Sequence, residues 1–250
     1  MQAPTACLII IGNEILSGRT QDKNLAWLAK SLNDTGIRLM ETRVIPDVKQ
    51  TIIDTVNTCR GAFTYVFTTG GIGPTHDDIT SDAIAAAFSV KLERNKEAAT
   101  ILERHYGKDQ LNAARLKMAD IPVGSTLILN PVSAAPGFRI QNVFVMAGVP
   151  SIMQAMFDFI RPELKGGDKM LSRTLSVFVT EGVIASRLSA IQDQFPDVEI
   201  GSYPFMRQQR LGTSLVARGT DSARLETAYR QLKTMLLEMT QEVLEEDLAA

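Results

Sequence analysis

Histidine and cysteine are scarce in this 250-residue chain, which has two of each and a single tryptophan. His76, His105, Cys7 and Cys59 are not spaced to assemble a thiolate–imidazole zinc site, and two cysteines make no disulfide framework. Both cysteines are expected to be small buried residues rather than reactive thiols. An excess of one charge is also missing: 26 lysines and arginines face 28 aspartates and glutamates, for a net charge of −2. No basic field marks out nucleic acid or an anionic membrane as a partner. Long apolar runs are absent too. Runs such as residues 6–11 and 143–147 fall far short of the roughly 20 residues that cross a bilayer. The N-terminus lacks a basic n-region and a small-residue cleavage site, so a cytoplasmic protein is expected.

What is present is ordinary globular composition, with 45% hydrophobic and 22% charged residues, which excludes disorder, a collagen-like chain and a coiled coil. At roughly 150 residues per domain, the length gives one large domain or one ordinary domain with a small companion. The first stretch, residues 5–12, is apolar and ends in Gly, the pattern of a strand buried on both faces. Helical spacing follows over 22–36, closed by a Gly cap. Residues 37–45 alternate as a strand, 48–59 are helical, and 64–69 form another buried strand. A glycine-rich loop then leads into a helix over 80–88. Helical text continues over 96–106 and 112–118, strands fall at 126–129 and 143–146, and a helix runs from 151 to about 161.

Repeated strand–helix alternation requires a mostly parallel, doubly wound sheet with helices on both faces, because right-handed crossovers place them there. The fold class is α/β. At 162–169 the text turns polar and Gly-paired, as in a linker. Beyond it come a strand (173–180), a helix (182–194), strands at 198–203 and 211–218, and a final helix (222–244). A small α+β domain is therefore expected over 166–250, after an α/β domain over 1–165. The acidic end, residues 242–247, is expected to be a solvated helix terminus.

Chemistry concentrates in Thr68-Thr69-Gly70-Gly71-Ile72-Gly73-Pro74-Thr75-His76-Asp77-Asp78-Ile79-Thr80. Three glycines in four positions let successive N–H groups turn toward one point, and the following helix end adds positive potential, so the loop suits a phosphate. It is neither a P-loop, lacking Lys after the last Gly, nor the dinucleotide fingerprint. Asp77 and Asp78 would repel phosphate alone, and a hard divalent cation such as Mg²⁺ resolves the conflict. The bland alternative is a tight turn in which Asp78 caps the helix. The first strand ends in Gly12-Asn13-Glu14-Ile15-Leu16-Ser17-Gly18, and Pro46-Asp47 ends the second. In a doubly wound sheet these loops share one rim, which puts Glu14, Asp47 and Asp78 within reach of one metal. Taken singly, Asp47 is as well explained as a helix cap and Glu14 as surface charge. Ala147-Gly148-Val149-Pro150-Ser151 is a second place where phosphate can sit on backbone N–H groups.

These residues resemble the molybdopterin-binding fold shared by molybdenum-cofactor biosynthesis proteins and by the N-terminal part of the CinA family of competence/damage-inducible proteins. The similarity to the CinA family rests on residues 12–18, the loop 69–80, Asn130-Pro131 with Ala135-Pro136-Gly137-Phe138, and Gly148-Val149-Pro150, in that order. It covers residues 4 to about 164. Residues 172–240, with Thr180-Glu181-Gly182 and the stretch 196–204, resemble that family's small middle domain more loosely. The resemblance implies a cytoplasmic homo-oligomer, dimer or trimer, whose rim takes a nucleotide or pterin through its diphosphate. It implies Asp47 and Asp78 as the catalytic pair and Gly70, Gly71 and Gly73 as the phosphate loop. Asn13, Glu14, Thr69, Thr75, Asp77, Gly148 and Ser151 complete the expected ligand contacts. The activity implied is Mg²⁺- or Co²⁺-dependent hydrolysis of the pyrophosphate bond in an ADP-ribose- or FAD-like substrate. Adenylyl transfer to molybdopterin and a non-catalytic ligand-binding module are the alternatives. The deamidase domain of long CinA proteins is absent from this sequence, so no nicotinamide-mononucleotide deamidation is expected.

Overall fold

The computed structural model describes residues 3–246. The chain forms two compact units that divide between Gly167 and Asp168. In the first unit, β1 (Thr5–Ile11) is followed by the short α1 (Asn13–Leu16), α2 (Asn24–Asp34), β2 (Arg38–Ile45), α3 (Lys49–Ala62) and β3 (Tyr65–Thr69). Next come α4 (Thr80–Ala87), β4 (Leu92–Arg94), α5 (Lys96–Tyr106), α6 (Ala113–Lys117), β5 (Asp120–Pro122), β6 (Thr126–Ile128), β7 (Gly137–Ile140), β8 (Val143–Met146) and α7 (Pro150–Ile160). The main sheet runs β2-β1-β3-β8-β7-β6. Its first three joints are parallel and its last two antiparallel.

Burial explains this order. Residues Ala6 to Ile11 are each at most 3% exposed, and their alternation divides them between two cores. Cys7, Ile9 and Ile11 pack with Ile52 and Val56 of α3, Ile84 of α4 and Leu102 of α5. Ala6, Leu8 and Ile10 pack with Leu28 and Leu32 of α2 and with Met153, Met156 and Phe157 of α7. Each such side chain contributes roughly 1.5–3 kcal/mol by leaving water, and a strand buried on both faces demands helices on both. Aromatic rings fill the second core, where Phe67 and Phe144 stack at 5.2 Å and Trp27 meets Phe157 edge-on at 5.6 Å. The two cysteines are buried and free, their sulfurs 3.5 Å apart. Among the described residues, no helix is long and apolar enough to cross a membrane.

Several local expectations change. The stretch 12–18 holds a short helix, and β7 and the β4–β5 pair had no clear period-2 text because they are three or four residues long. The polar stretch after α7 is held to the first unit: Gly167 donates its N–H to the Gly36 carbonyl at 3.0 Å, and the Tyr65 hydroxyl accepts the Lys165 N–H at 3.0 Å.

The second unit contains β9 (Leu171–Val177), α8 (Glu181–Gln194), β10 (Glu199–Arg207), β11 (Arg210–Gly219), α9 (Ser222–Leu237) and β12 (Val243–Glu246). Its sheet, ordered β10-β11-β9-β12, is antiparallel throughout. Helix α8 and helix α9 cover it through Ile184, Ile191, Leu225, Tyr229 and Leu232. The final helix thus stops at Leu237 instead of 244, and residues 243–246 pair with β9. The carbonyl of Leu236 accepts both the Met239 and Thr240 N–H groups, which turns the chain out of the helix. The acidic end is accordingly no solvated helix terminus. Glu242 pairs with Arg210, and Glu245 accepts from Tyr229 Oη and Lys233 Nζ, each at 2.6 Å. Asp247 lies outside the described residues.

The Lys233 ammonium, then the Tyr229 hydroxyl, hold the Glu245 carboxyl below its usual range. Burial, then Glu245, pushes Tyr229 from 10.0 up to about 12. Stability from Glu245 is present above the ordinary carboxylate range and is lost as pH falls through its lowered value. That from Tyr229 is present below pH 10.0 and is lost as pH rises toward about 12. Amide protection of β12 against hydrogen exchange, corrected for intrinsic rates, is expected to be flat between these limits and to fall beyond both. Tyr229→Phe should remove the alkaline limb. In urea, Leu8→Ala and Ile9→Ala should each cost about 2–5 kcal/mol, since each empties a fully buried position on one face of β1.

Candidate functional site

Parallel pairing of β2, β1, β3 and β8 brings their carboxyl ends to one rim of the sheet, where open α/β sheets place their ligands. A cleft of about 760 Å³ opens there, within the size range of small-molecule pockets. Its lining includes Ile11 and Glu14 after β1, Asp47 after β2, Gly70 to Pro74 with Asp77 and Asp78 after β3, and Ala147 to Pro150 after β8. Tyr106, Arg115 and Met118 form another wall, with Ser133, Ala135 and Ile152.

The glycine loop is shaped by close approach. Gly70 has φ +104° and Gly71 φ +68°, conformations that side-chain-bearing residues avoid. A Cβ on Gly70 would overlap the Ile11 carbonyl, and one on Gly71 would strike the Thr80 hydroxyl. Thr80, fully buried at the start of α4, closes the loop: its hydroxyl donates to the Gly70 carbonyl at 3.0 Å and its N–H to the Gly71 carbonyl at 2.9 Å. Among the described residues, the N–H groups of Gly71, Ile72 and Gly73 have no intramolecular acceptor, and neither do those of Gly148 and Val149. The two loops touch, since a Cβ on Gly148 would lie 3.3 Å from the Gly70 Cα. Asn24, buried at the start of α2, donates its side-chain amide to the Gly148 carbonyl at 2.8 Å and holds the second loop in place.

The carboxylates are not helix caps. Helix α4 has Ile79 at its N-cap and no side-chain cap bond; Asp78 Oδ2 instead accepts from the Thr75 N–H at 2.8 Å and the Thr75 hydroxyl at 2.6 Å. Helix α3 begins after Val48, also uncapped by a side chain, while Asp47 Oδ2 accepts the Asn13 N–H at 2.8 Å. That bond ties the β2 rim to the β1 rim. The Asp77 carboxyl is held below its usual range, first by the Thr75 side chain, then by its own backbone N–H, with lesser help from His76 and Lys117.

Of the residues singled out from sequence, Glu14, Asp47, Gly70, Gly71, Gly73, Asp77, Asp78 and Gly148 line the cleft. Thr75 stands behind it as the partner of Asp78, and Asn13 contributes its backbone N–H to Asp47. Thr69 lies inside β3, 1% exposed, with its hydroxyl unpaired, and Ser151 is exposed on α7; neither lines the cleft. Glu14, Asp47 and Asp78 share the cleft without converging: among the described residues, no three His, Cys, Asp or Glu side chains are grouped to hold a metal. Sequence reading missed Asn24, Tyr106, Arg115 and Lys117, and it placed Thr80 in the loop motif without a role. Lys117 donates to the Thr75 carbonyl from 42 residues away, a separation at which no local spacing carries a signal.

Fold and cleft together define an open α/β domain whose functional rim is built from two glycine loops and a row of carboxylates. Residues 7–166 match the family described as "probable molybdopterin binding domain", and residues 169–243 match the middle domain of FAD synthase. The chain belongs to the CinA-like proteins of the molybdopterin-binding-domain family. A protein of Archaeoglobus fulgidus is 35% identical over 230 residues, covering 92% of this chain and 96% of its own. A probable FAD synthase of Caenorhabditis elegans is 30% identical over 261 residues. That match takes in 94% of this chain, which spans half the length of the nematode protein. Among solved structures, the protein CinA of Thermoplasma acidophilum, of unknown function, superposes with a TM-score of 0.61 at 32% identity. It covers 64% of this chain and 98% of its own.

Two substitutions test the loop's construction by urea unfolding. Thr80→Val keeps the shape and removes the hydroxyl bond, at an expected cost of about 1 kcal/mol. Gly70→Ala should cost more, because it combines a left-handed conformation with an overlap on the Ile11 carbonyl.

Proposed function

We propose that the cleft binds a nucleotide diphosphate of the ADP-ribose or FAD type and hydrolyses its pyrophosphate bond with a divalent cation. The observation that carries this reading is the set of unpaired backbone N–H groups on two touching loops, Gly71 to Gly73 and Gly148 to Val149, in one cleft with four carboxylates. Such amides bind phosphate oxygens without a formal positive charge. Two adjoining loops suit two adjoining phosphates. The match of residues 169–243 to the middle domain of FAD synthase supports a nucleotide-like ligand for the chain.

The anionic donors available to a cation in the lining are carboxylates, which suit a hard ion such as Mg²⁺ rather than Zn²⁺. A preformed cage of three protein ligands is not required, because Mg²⁺ keeps several waters and is held by one or two carboxylates plus substrate phosphates. Asp78 and Asp47 are the residues that would hold it, each having one oxygen bonded to the protein and the other without a hydrogen-bond partner among the described residues. When bound, the cation would neutralise phosphate charge and lower the pKa of a bound water. The chain's own part is positional. Thr75 fixes Asp78 through two hydrogen bonds, the Asn13 N–H fixes Asp47, and Thr80 and Asn24 hold the two loops at a set spacing.

Incubation of the purified protein with ADP-ribose, FAD or adenylylated molybdopterin, with Mg²⁺ or Co²⁺, should release AMP, followed by chromatography. Asp78→Asn, which keeps a side-chain oxygen to accept from Thr75, is expected to lower the rate by at least about 100-fold with little change in melting temperature, and Asp78→Ala to lower the rate as far in protein that is still folded. No AMP above the protein-free control from any of the three would sink the hydrolytic reading.

A further inference from the structure

The geometry points to Arg115 as the clamp that takes the non-bridging oxygens of the bound diphosphate, an inference that rests on reading the cleft as a diphosphate site. Among the described residues, Arg115 is the one cationic side chain in the lining, against the four carboxylates Glu14, Asp47, Asp77 and Asp78. Several arginines elsewhere pair with carboxylates, as Arg94 does with Asp120, Arg139 with Glu163 and Arg224 with Asp197. Arg115 has no such partner among the described residues, although it is half-buried in an acid-lined cleft. A guanidinium placed so has exchanged part of its hydration for a position, and its remaining N–H groups await an anion.

Three contacts fix that position. The guanidinium carbon lies 4.2 Å from the centroid of the Tyr106 ring, which covers one of its faces. Its Nη1 donates to the Gln110 carbonyl, and the backbone N–H of Arg115 donates to Asn112 Oδ1 at 2.9 Å, the cap that starts α6. The segment is in turn tied to the glycine loop, because Lys117, two residues on, donates to the carbonyl of Thr75. Stacking and the Gln110 bond occupy one face and one N–H. The rest of the planar fork matches two oxygens of a phosphate, which a lysine, as a point charge, does not. A clamp held in place beforehand loses little rotamer entropy on binding.

The test is calorimetric, with Mg²⁺ present and, so that binding is read without turnover, the α,β-methylene analogues of ADP-ribose and FAD as the diphosphate ligands, beside adenosine and riboflavin. Arg115→Ala is expected to weaken the diphosphate ligand by about 10- to 100-fold and to leave adenosine or riboflavin within about twofold. Arg115→Lys should recover only part of the loss. Tyr106→Leu should weaken the diphosphate by a smaller factor, with Tyr106→Phe close to wild type, and melting temperatures verify that each variant is folded. Unchanged diphosphate affinity in folded Arg115→Ala overturns the assignment. So does an equal loss for adenosine or riboflavin, which would mean that the guanidinium stacks on the ring system instead. A wild-type protein that binds these analogues yet releases no AMP from ADP-ribose or FAD with Mg²⁺ defeats hydrolysis and leaves the clamp standing; one that binds neither analogue with Mg²⁺ present defeats both.

Discussion

The burial of β1 on both faces is the constraint from which the first unit follows. Six consecutive residues, Ala6 to Ile11, leave water almost completely, and their alternation requires two separate cores. Each core needs its own helices, α3, α4 and α5 on one side and α2 and α7 on the other. Helices on both faces are what parallel strands with right-handed crossovers provide. Parallel strands in turn end together, so one hydrophobic requirement decides that Gly12, Asp47, Gly70 and Gly148 meet at a single rim.

At that rim the backbone does the shaping and the side chains do the holding. Gly70 passes so close to the end of β1 that a methyl group would overlap a carbonyl oxygen. The loop then curls back on Thr80, whose hydroxyl and N–H close it. The unpaired amides that result would be a liability in a dry core, where a polar group without a partner costs free energy. In an open cleft they are available to a ligand. The balance of charge has the same logic. A net charge of −2 is compatible with an anionic ligand when positive potential comes from amide dipoles and one positioned arginine rather than from a basic surface.

Legibility in the sequence followed the range of the interaction. The strand at 5–12 and the helices at its flanks were readable because burial repeats at period 2 or 3.6. The glycine loop was readable because its residues are contiguous. The end of α9 was not: Leu232, Leu236, Met239 and Val243 continue a helical spacing past the point where the Leu236 carbonyl turns the chain. Pairing with β9, nearly 70 residues upstream by the Val243–Val177 register, makes the last of them strand. Tyr106 and Arg115 carry no motif at all, and their place in the cleft depends on how α5 and α6 pack beside a loop some thirty to forty residues earlier.

Residue order by itself therefore determined the α/β class, the two-part division of the chain, and the short list of glycines and carboxylates on which chemistry could rest. Those features are local or periodic, and periodicity is what partition between water and core imposes on a chain. The tertiary structure alone decided that Asp47 ties two rim segments together and Asp78 braces its own loop instead of capping helices, and that Thr69 is enclosed in its strand. It also decided that four carboxylates in one cleft stop short of a ready-made metal cage. These outcomes depend on hydrogen-bond partners brought together by folding, and a hydrogen bond is satisfied or left open by distances of a few tenths of an ångström that no spacing in sequence encodes.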